Sequence, residues 1–396
     1  MRKIAAQYIF PLNGKPPIQR GAVTLDNRGT VVEISQLSQE TANTEFYNGI
    51  IVPGFVNTHC HIELSYLKGK FERASGMAGF IRQINRLRES SSREQRIELI
   101  EEEMTKMYLS GVSAMADISN GDESFAVKAK SPMYTRTFLE IFGTDPKDIR
   151  KITSGLKKLN RKALGYGIAA SPTPHSCYTM SPELLKKVSS QALKAGWLSY
   201  HNQESWEEEE LIRRGEGPIA NEYKGRGEGT PPVTGTSALT YLLDSLKSLG
   251  LNRYDQNIML VHNACTDEDS IRTAMGLFDN LFWAICPLSN LFIHNTVPPV
   301  ELLRRLRANI TIGTDSLSSN DALSIVEEIK SIHRYFPDIP LEEILEWSSY
   351  NGAKFLKIEQ SAGSIEVGKR PGIVLIDHID FDRLKLTKAS SSVRIV

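Results

Sequence analysis

Two histidines at the end of an apolar run are the first residues here that could do chemistry. The run closes with Asn57-Thr58-His59-Cys60-His61. In a β-strand, residues two apart point to the same face, so His59 and His61 could bind one metal ion together. A lone pair of this kind is usually an ordinary core or surface pair, and other ligands are needed to support the interpretation.

Three further segments place polar side chains at comparable points. His201 ends an apolar run and Glu204 follows it, His262 ends another run, and Asp315 comes two residues after the run 310–313. Four imidazoles and one carboxylate therefore fall at the ends of four predicted strands. Three neutral imidazoles with a carboxylate suit Zn²⁺ or Fe²⁺ and leave a coordination position for water, which is typical of a catalytic metal site.

The elements that must position these residues are eight apolar runs of strand length, alternating with helical patterns. Helical patterns at 94–109, 183–195 and 300–308 would each return the chain to the same edge of a parallel sheet. Eight strand–helix units predict an α/β fold, a (β/α)8 TIM-like barrel, whose active sites lie at the carboxyl ends of the strands. An open doubly wound sheet is the alternative, but its polar residues would cluster at one switch point. The predicted strands are 50–58, 112–118, 133–142, 166–171, 198–201, 258–262, 281–286 and 310–313.

The two ends of the chain differ from the middle. Short β-rich pieces separated by turn pairs such as Asn13-Gly14 fill the first 50 residues, and the last segment has the same character. Since a barrel brings its first and last elements together, we expect both ends to pair in one small β-sandwich domain. The expected domains are residues 1–52 and 361–396 for the sandwich and 53–360 for the barrel.

Composition excludes several classes of protein. The 396 residues carry 47 Lys and Arg against 47 Asp and Glu, a formal net charge of zero. Nucleic-acid binding is therefore not expected, because there is no basic field to hold a polyanion. No apolar run approaches the roughly 18 residues that span a bilayer, and the N-terminal segment does not read as a signal peptide. We expect a cytoplasmic protein with no membrane partner and a small-molecule substrate; a homo-oligomer is compatible with the sequence.

The motifs taken together resemble those of the amidohydrolase superfamily, in its branch of aminopurine deaminases and chlorohydrolases. The resemblance runs nearly end to end, with one departure at Arg370-Pro371-Gly372, where the family usually has Ala-Asp. It rests on Pro53-Gly54-Phe55-Val56-Asn57-Thr58-His59-Cys60-His61, Pro174-His175-Ser176, His201-Asn202-Gln203-Glu204, Val261-His262, Pro287-Leu288-Ser289-Asn290, Gly313-Thr314-Asp315-Ser316 and Gly363-Ser364-Ile365-Glu366-Val367-Gly368-Lys369.

The resemblance implies a mononuclear metal site. One divalent ion, Zn²⁺ first and Fe²⁺ as the alternative, would be held by His59, His61, His201 and Asp315. A second metal would need a bridging lysine in the fourth strand, and residues 166–171 contain none.

The resemblance also implies three catalytic residues. Glu204 would pass a proton to a ring nitrogen of the substrate, His262 would polarise or steady the forming oxygen, and Asp315 would help to carry a proton to the departing ammonia. The expected reaction is hydrolytic deamination of an amidine-like ring.

Substrate contacts are inferred from loops that resemble those of aminodeoxyfutalosine deaminases. We expect His175, Glu63, Asn290 and Ser318 to contact the substrate, with Glu63 on a ribose hydroxyl. S-adenosylhomocysteine, methylthioadenosine and adenosine deaminases share the same ligand set. Guanine deaminases, chlorohydrolases and a non-catalytic barrel remain alternatives. The acidic runs 101–103 and 207–210 are interpreted as solvated helix faces.

Overall fold

A computed structural model describes residues 1–38, 43–250 and 253–396. The chain begins with a mostly antiparallel group of strands. They are β1 (Arg2–Ile9), β2 (Ile18–Gln19), β3 (Gly21–Leu25), β4 (Val31–Gln36) and β5 (Thr44–Pro53).

Eight parallel strands follow and form the barrel. They lie in two four-stranded sheets of consecutive strands. The amide of His201 donates to the carbonyl of His175 at 2.9 Å on one side, and the amide of Thr314 donates to the carbonyl of His59 at 3.0 Å on the other, so the two sheets adjoin at both edges. The eight strands are β6 (Phe55–Cys60), β7 (Val112–Ser119), β8 (Tyr134–Ile141), β9 (Ala169–Pro174), β10 (Trp197–Asn202), β11 (Tyr254–His262), β12 (Phe278–Ile285) and β13 (Asn309–Ile312).

Four short strands close the chain: β14 (Ile373–Ile376), β15 (Ile379–Asp380), β16 (Lys385–Leu386) and β17 (Ser392–Arg394). Strand β14 pairs with β5, so the two chain ends share one sheet of order β17-β14-β5-β1-β3-β4, with β2 beside β1. Strands β15 and β16 form a separate pair. That these strands constitute a sandwich, and that the domains divide at 52/53 and 360/361, stay predictions.

Helices connect the barrel strands. Two 3-10 helices, Ile62–Leu67 and Pro146–Asp148, accompany the α-helices. The α-helices are α1 (Gly76–Leu87), α2 (Arg93–Leu109), α3 (Phe125–Lys130), α4 (Ile149–Gly165), α5 (Pro182–Lys194), α6 (Trp206–Arg214), α7 (Gly217–Gly225), α8 (Ala238–Lys247), α9 (Glu268–Leu277), α10 (Pro287–His294), α11 (Val300–Arg305), α12 (Ile325–Tyr335), α13 (Leu341–Ser348) and α14 (Tyr350–Leu356).

The barrel interior is packed with side chains. Val56, Met259 and Phe282 are buried in one cluster with Phe355 from α14. The Phe355 ring lies 5.5 Å from the Phe282 ring and 6.1 Å from that of Phe138, between centroids. Because this core fills the barrel, chemistry is left to side chains at the rim, where β6 to β13 end.

The prediction of a TIM-barrel-like α/β fold is confirmed, with two strands misplaced. The predicted fourth strand, 166–171, lies three residues later at Ala169–Pro174. The predicted first strand, 50–58, is two strands: β5 ends at Pro53 in the terminal sheet, and β6 begins at Phe55 in the barrel. The apolar run gives no sign of this change because residues 50–60 are buried in both sheets. No helix among the described residues is long and apolar enough to cross a membrane.

The interpretation of the acidic runs as solvated faces is wrong for three residues. Glu208 is 0% exposed, Glu209 3% and Glu103 6%. Glu208 accepts hydrogen bonds from the Cys177 thiol at 3.0 Å and from the amide of Glu204 at 2.8 Å. The run at 207–210 opens α6 immediately after the rim of β10, so part of this helix faces the barrel instead of solvent.

Candidate metal centre and active site

Three imidazoles and a carboxylate converge at the rim of the barrel. The Nε2 atom of His61 lies 3.2 Å from Nε2 of His59 and 3.2 Å from Nε2 of His201. Oδ1 of Asp315 lies 3.5 Å from Nε2 of His61 and 3.7 Å from Nε2 of His59. All four side chains are buried or nearly so. The structure thus brings together the four residues that the sequence predicts as metal ligands.

The spacing of these atoms fits a single divalent ion. Two ligands at about 2.0–2.1 Å from one Zn²⁺ lie roughly 3–3.5 Å from each other, and four of the six pairs of ligand atoms lie 3.2 to 3.7 Å apart. Two neutral imidazoles in direct contact share at most one proton between the facing nitrogens, so His61 cannot bond both partners well. A cation bound between these residues would accept the lone pairs of the facing nitrogens.

The backbone at the rim is strained where it presents these side chains. Gln203, His262, Asn263 and Asp315 have φ of +45°, +70°, +57° and +55°. Such conformations are unfavourable for residues other than glycine and persist only where the surrounding structure fixes them. They occur at the end of β11 or within three residues after the ends of β10, β11 and β13, at the rim of the barrel.

Close approach of β13 to β6 requires a glycine. A Cβ added to Gly313 would lie 2.7 Å from the Cβ of His59 and 2.9 Å from its carbonyl oxygen. Without that Cβ, the amides of Thr314 and Asp315 both reach the His59 carbonyl, at 3.0 and 3.1 Å. Gly313 therefore sets the distance between Asp315 and the His59–His61 pair.

Two serines fix the carboxylate of Asp315. The hydroxyls of Ser289 and Ser319 both donate to Oδ2 at 2.6 Å, which leaves Oδ1 facing the histidines. Burial acts to raise the pKa of Asp315, but the hydrogen bond from His59 and the charges of His61 and the other nearby imidazoles outweigh it and hold this pKa well below its usual range. Asp315 is thus ionised and oriented.

Glu204 and His262 form a second pair beside the ligand cluster. Oε1 of Glu204 lies 3.6 Å from Nε2 of His262. Burial, with the negative charges of Asp315 and Glu208, raises the pKa of Glu204 well above its ordinary value. Burial lowers the pKa of His262 to about 3. A protonated carboxyl and a neutral imidazole can each donate or accept one proton, as acid–base chemistry requires.

Asn290 sits behind His262. Its Nδ2 donates to Nδ1 of His262 at 3.5 Å, which leaves the ring proton of neutral His262 on Nε2, toward Glu204. Asn290 is 0% exposed. Contact of Asn290 with substrate stays a prediction, and the contact that the structure shows is with His262.

Of the other expected substrate residues, one lines the cavity over the ligand cluster and two do not. His175 lines the same cavity as the ligand cluster, and its ring stacks on that of His201 at 4.4 Å between centroids. Glu63 accepts from the amides of Asn120 and Gly121 at 2.9 and 3.0 Å and lines a neighbouring cavity. Ser318 is 0% exposed, with its hydroxyl 2.5 Å from that of Ser316. Contact of Glu63 or Ser318 with substrate stays a prediction.

Sequence reasoning missed one acidic residue of the site. Glu140, in β8, is 5% exposed, and its Oε1 lies 3.4 Å from Nδ1 of His201. The carbonyl of His175 lies 3.3 Å from the same Nδ1. A ligand histidine is commonly oriented by an acceptor at its other ring nitrogen. The signal available in the sequence was the glutamate near the end of a predicted strand, at the same rim as the ligands.

A cavity of about 360 Å³ opens over the cluster. Its walls combine the polar residues His61, His201, Glu204 and Asp315 with apolar side chains of the first loop and α1. The apolar members include Tyr66, Leu67, Met77, Phe80, Ile81 and Ile84. A concave site with a few convergent polar groups and a large apolar wall is typical of a small-molecule site.

Comparison with known proteins gives consistent matches. The Amidohydrolase family profile matches residues 50–394. An adenosine deaminase of Helicobacter pylori is 26% identical over 393 residues, covering 93% of this chain and 90% of the relative. An aminodeoxyfutalosine deaminase of a Nitratiruptor species is 26% identical over 372 residues, covering 91% and 88%.

Solved structures show the same fold. That of Helicobacter pylori aminofutalosine deaminase in complex with methylthio-coformycin matches with a TM-score of 0.79 over 100% of both chains, at 22% identity. A Xanthomonas campestris adenosine deaminase with bound zinc matches with a TM-score of 0.73 over 98% of this chain and 87% of that chain, at 20% identity.

Proposed function

The chain belongs to the amidohydrolase family, and we propose that it is a metal-dependent hydrolytic deaminase that releases ammonia from the 6-amino group of a purine nucleoside. The observation that carries this proposal is the adjacency of two groups of residues. His59, His61, His201 and Asp315 form a cluster with ligand spacing, and Glu204 faces the same cavity with a raised pKa.

Zn²⁺ is the ion that we propose for the cluster. Neutral imidazoles and a carboxylate suit it. When bound, such an ion lowers the pKa of water so that hydroxide is available near neutral pH.

Residues of the chain then carry out the proton transfers. Glu204 holds its proton because burial raises its pKa, and it donates that proton to the ring nitrogen next to the amino-bearing carbon. His262 donates from Nε2 to the oxygen that develops on that carbon. Ionised Asp315 accepts one proton from the attacking water and delivers it to the departing amine, and the second proton of that water returns to Glu204 as the carbon–oxygen double bond forms. One water is consumed and one ammonia is released, which leaves an oxo ring.

Aminodeoxyfutalosine is the substrate that we propose first. The relatives of similar length carry names of aminodeoxyfutalosine, adenosine, 5'-deoxyadenosine and methylthioadenosine/S-adenosylhomocysteine deaminases, so every candidate from this group is a 6-aminopurine riboside. The apolar wall formed by Met77, Phe80, Ile81 and Ile84 favours a nucleoside with a large apolar substituent over adenosine itself.

The experiment that tests the proposal measures ammonia release by zinc-loaded protein. Aminodeoxyfutalosine, S-adenosylhomocysteine, methylthioadenosine, adenosine and guanine are supplied in parallel. Turnover of one or more of the ribosides supports the proposal, and their order gives the substrate. Turnover of guanine alone, or silence on the whole panel by protein that holds one zinc per chain, contradicts it.

A further inference from the structure

A buried carboxyl group lies behind the two serines that fix the carboxylate of Asp315. It belongs to Glu328, in the first turn of α12, which is 0% exposed. Glu328 does not line the cavity over the metal cluster. It therefore has no direct contact with a substrate bound in that cavity, and any contribution to the site must pass through other residues.

The two oxygens of this carboxyl group join two different segments of the rim. Oε2 of Glu328 accepts from the amide of Leu288 at 3.0 Å, in the first turn of α10, which follows β12. Oε1 accepts from Nδ2 of Asn320 at 2.9 Å, in the segment that follows β13. Glu328 thus links α12 to both segments with one side chain.

These two donors are adjacent in the chain to the serines of the site. Leu288 precedes Ser289, and Asn320 follows Ser319. The hydroxyls of both serines donate to Oδ2 of Asp315 at 2.6 Å. Because a hydrogen bond weakens steeply as its geometry departs from the optimum, the backbone that carries each serine must be held in place.

Asn320 is fixed by further hydrogen bonds. Its Nδ2 also donates to the carbonyl of Thr314 at 3.0 Å, and its Oδ1 accepts from the amide of Asp321 at 2.8 Å. The segment that carries Ser319 is therefore tied both to the end of β13 and, through Glu328, to α12. Buried polar groups that all have hydrogen-bond partners make the segments that they join rigid.

The adjacent Glu327 pairs within α12 instead. Its side chain is 49% exposed, and its Oε1 lies 2.7 Å from Nζ of Lys330. The two glutamates share a residue type and a helix but differ in burial and in partners. Glu327 is therefore a matched control for Glu328.

We propose that Glu328 is a positioning residue of the metal centre: it holds Ser289 and Ser319 in place, and these serines hold the carboxylate of Asp315. This inference rests on the proposed function, in which Asp315 is a zinc ligand. Residues that orient metal ligands from outside commonly contribute about 10- to 100-fold to metal affinity. Because Glu328 acts through two further residues, we expect its contribution to lie at the lower end of that range.

The first test measures the zinc affinity of Glu328→Gln. The amide nitrogen that replaces one carboxyl oxygen can donate but not accept, so it opposes the N–H group of either Leu288 or Asn320, and one link is lost. The Kd for zinc, measured by competition with a chromophoric chelator, should rise by about 10-fold. Glu327→Gln should keep the wild-type Kd.

Glu328→Asp is a second variant, for the case in which Glu328→Gln does not fold. It keeps both acceptor oxygens on a shorter side chain, which cannot reach Leu288 and Asn320 together. The Kd for zinc should rise in this variant as well, with circular dichroism to establish that the fold is retained.

A double-mutant cycle distinguishes positioning of the serines from general support of the fold. Glu328→Gln is combined with Ser289→Ala/Ser319→Ala, in which the two hydroxyls are already absent. If Glu328 acts through those hydroxyls, it should change the Kd for zinc by about 2-fold or less in that background, because residues of one hydrogen-bond network are not additive. A variant that only loosened the fold would raise the Kd by the same factor in both backgrounds.

The outcomes that overturn the inference differ from those that overturn the proposed function. Equal Kd values for zinc in Glu328→Gln and Glu327→Gln, or the same loss with and without the serine hydroxyls, would refute the positioning role, while the wild type would still bind zinc and release ammonia. Failure of the wild type to bind zinc would refute the metal centre and, with it, the proposed function.

Discussion

Removal of the Ser319 hydroxyl should weaken zinc binding without changing the fold. This hydroxyl and that of Ser289 each donate to Oδ2 of Asp315 at 2.6 Å. A hydrogen bond to a charged group contributes about 1.5–3 kcal/mol, and each 1.4 kcal/mol is about a factor of ten in affinity. Ser319→Ala and Ser289→Ala should therefore each raise the Kd for zinc by about 10- to 100-fold.

The double variant Ser289→Ala/Ser319→Ala should lose more than the product of the two single effects. After the first removal, Oδ2 of Asp315 keeps one donor; after the second, it is buried without a donor among the described residues, and this desolvation penalty appears only then. The assay is a competition for zinc between the protein and a chromophoric chelator, with circular dichroism to establish that the fold is retained.

Ser318→Ala is the matched control. Ser318 is adjacent in the chain and equally buried, but its hydroxyl bonds Ser316 instead of Asp315. Its zinc affinity should equal that of the wild type. If Ser319→Ala binds zinc as tightly as Ser318→Ala does, the hydrogen bonds from these hydroxyls to Asp315 do not contribute to zinc affinity, and the prediction is wrong.

Three further predictions follow from the packing and charges of the rim. Gly313→Ala should lower the unfolding free energy, measured by chemical denaturation, by about 1–3 kcal/mol and reduce zinc content, because the added Cβ would strike His59. Gly155→Ala is the control: an added Cβ there meets no atom within 4 Å, so the unfolding free energy should rise by about 0.5–1 kcal/mol. Glu204→Gln should abolish ammonia release while zinc affinity is kept, and near-normal rates would disprove its role in proton transfer. Burial raises the pKa of Glu208 from 4.5 to about 7, so the stability that this group contributes is present below pH 4.5 and lost as pH rises to about 7. The unfolding free energy of Glu208→Gln relative to the wild type should therefore rise by about 3 kcal/mol between these limits, and a constant difference at all pH values would refute the assignment.

The ligand set could be predicted from the sequence because a barrel converts chain position into spatial position. His59, His61, His201 and Asp315 each end or follow a strand, and parallel strands in a closed ring bring their carboxyl ends together. The structure places these four residues within 3.2 to 3.7 Å contacts. No detail of the loops was needed for that inference.

The residues that support the ligands could not be predicted in the same way. The sequence predicts site roles for Asn290 and Ser318, whereas Asp315 is held by their neighbours Ser289 and Ser319. In a helix or turn, adjacent residues point in directions that depend on the local φ and ψ, and Asp315 itself has a φ of +55°. A motif shows which residues are near a site but not which one faces it.

The sequence pattern also does not show which charged residues are buried. Glu207 to Glu210 look like a solvated acidic face, yet Glu208 and Glu209 are buried with specific donors. Those donors, which include Cys177 and Gln203, come from β-strand ends and loops. Helical periodicity carries no information about donors that lie outside the helix.

The most direct test of the metal-dependent deaminase is a titration of metal-free protein with zinc while ammonia release from aminodeoxyfutalosine is followed. The arrangement of His59, His61, His201 and Asp315 predicts that activity rises linearly and reaches a plateau at one zinc per chain, and that Asp315→Asn stays inactive at this ratio. Full activity of the metal-free protein, or a plateau at one zinc per chain in Asp315→Asn with wild-type rates, would contradict it.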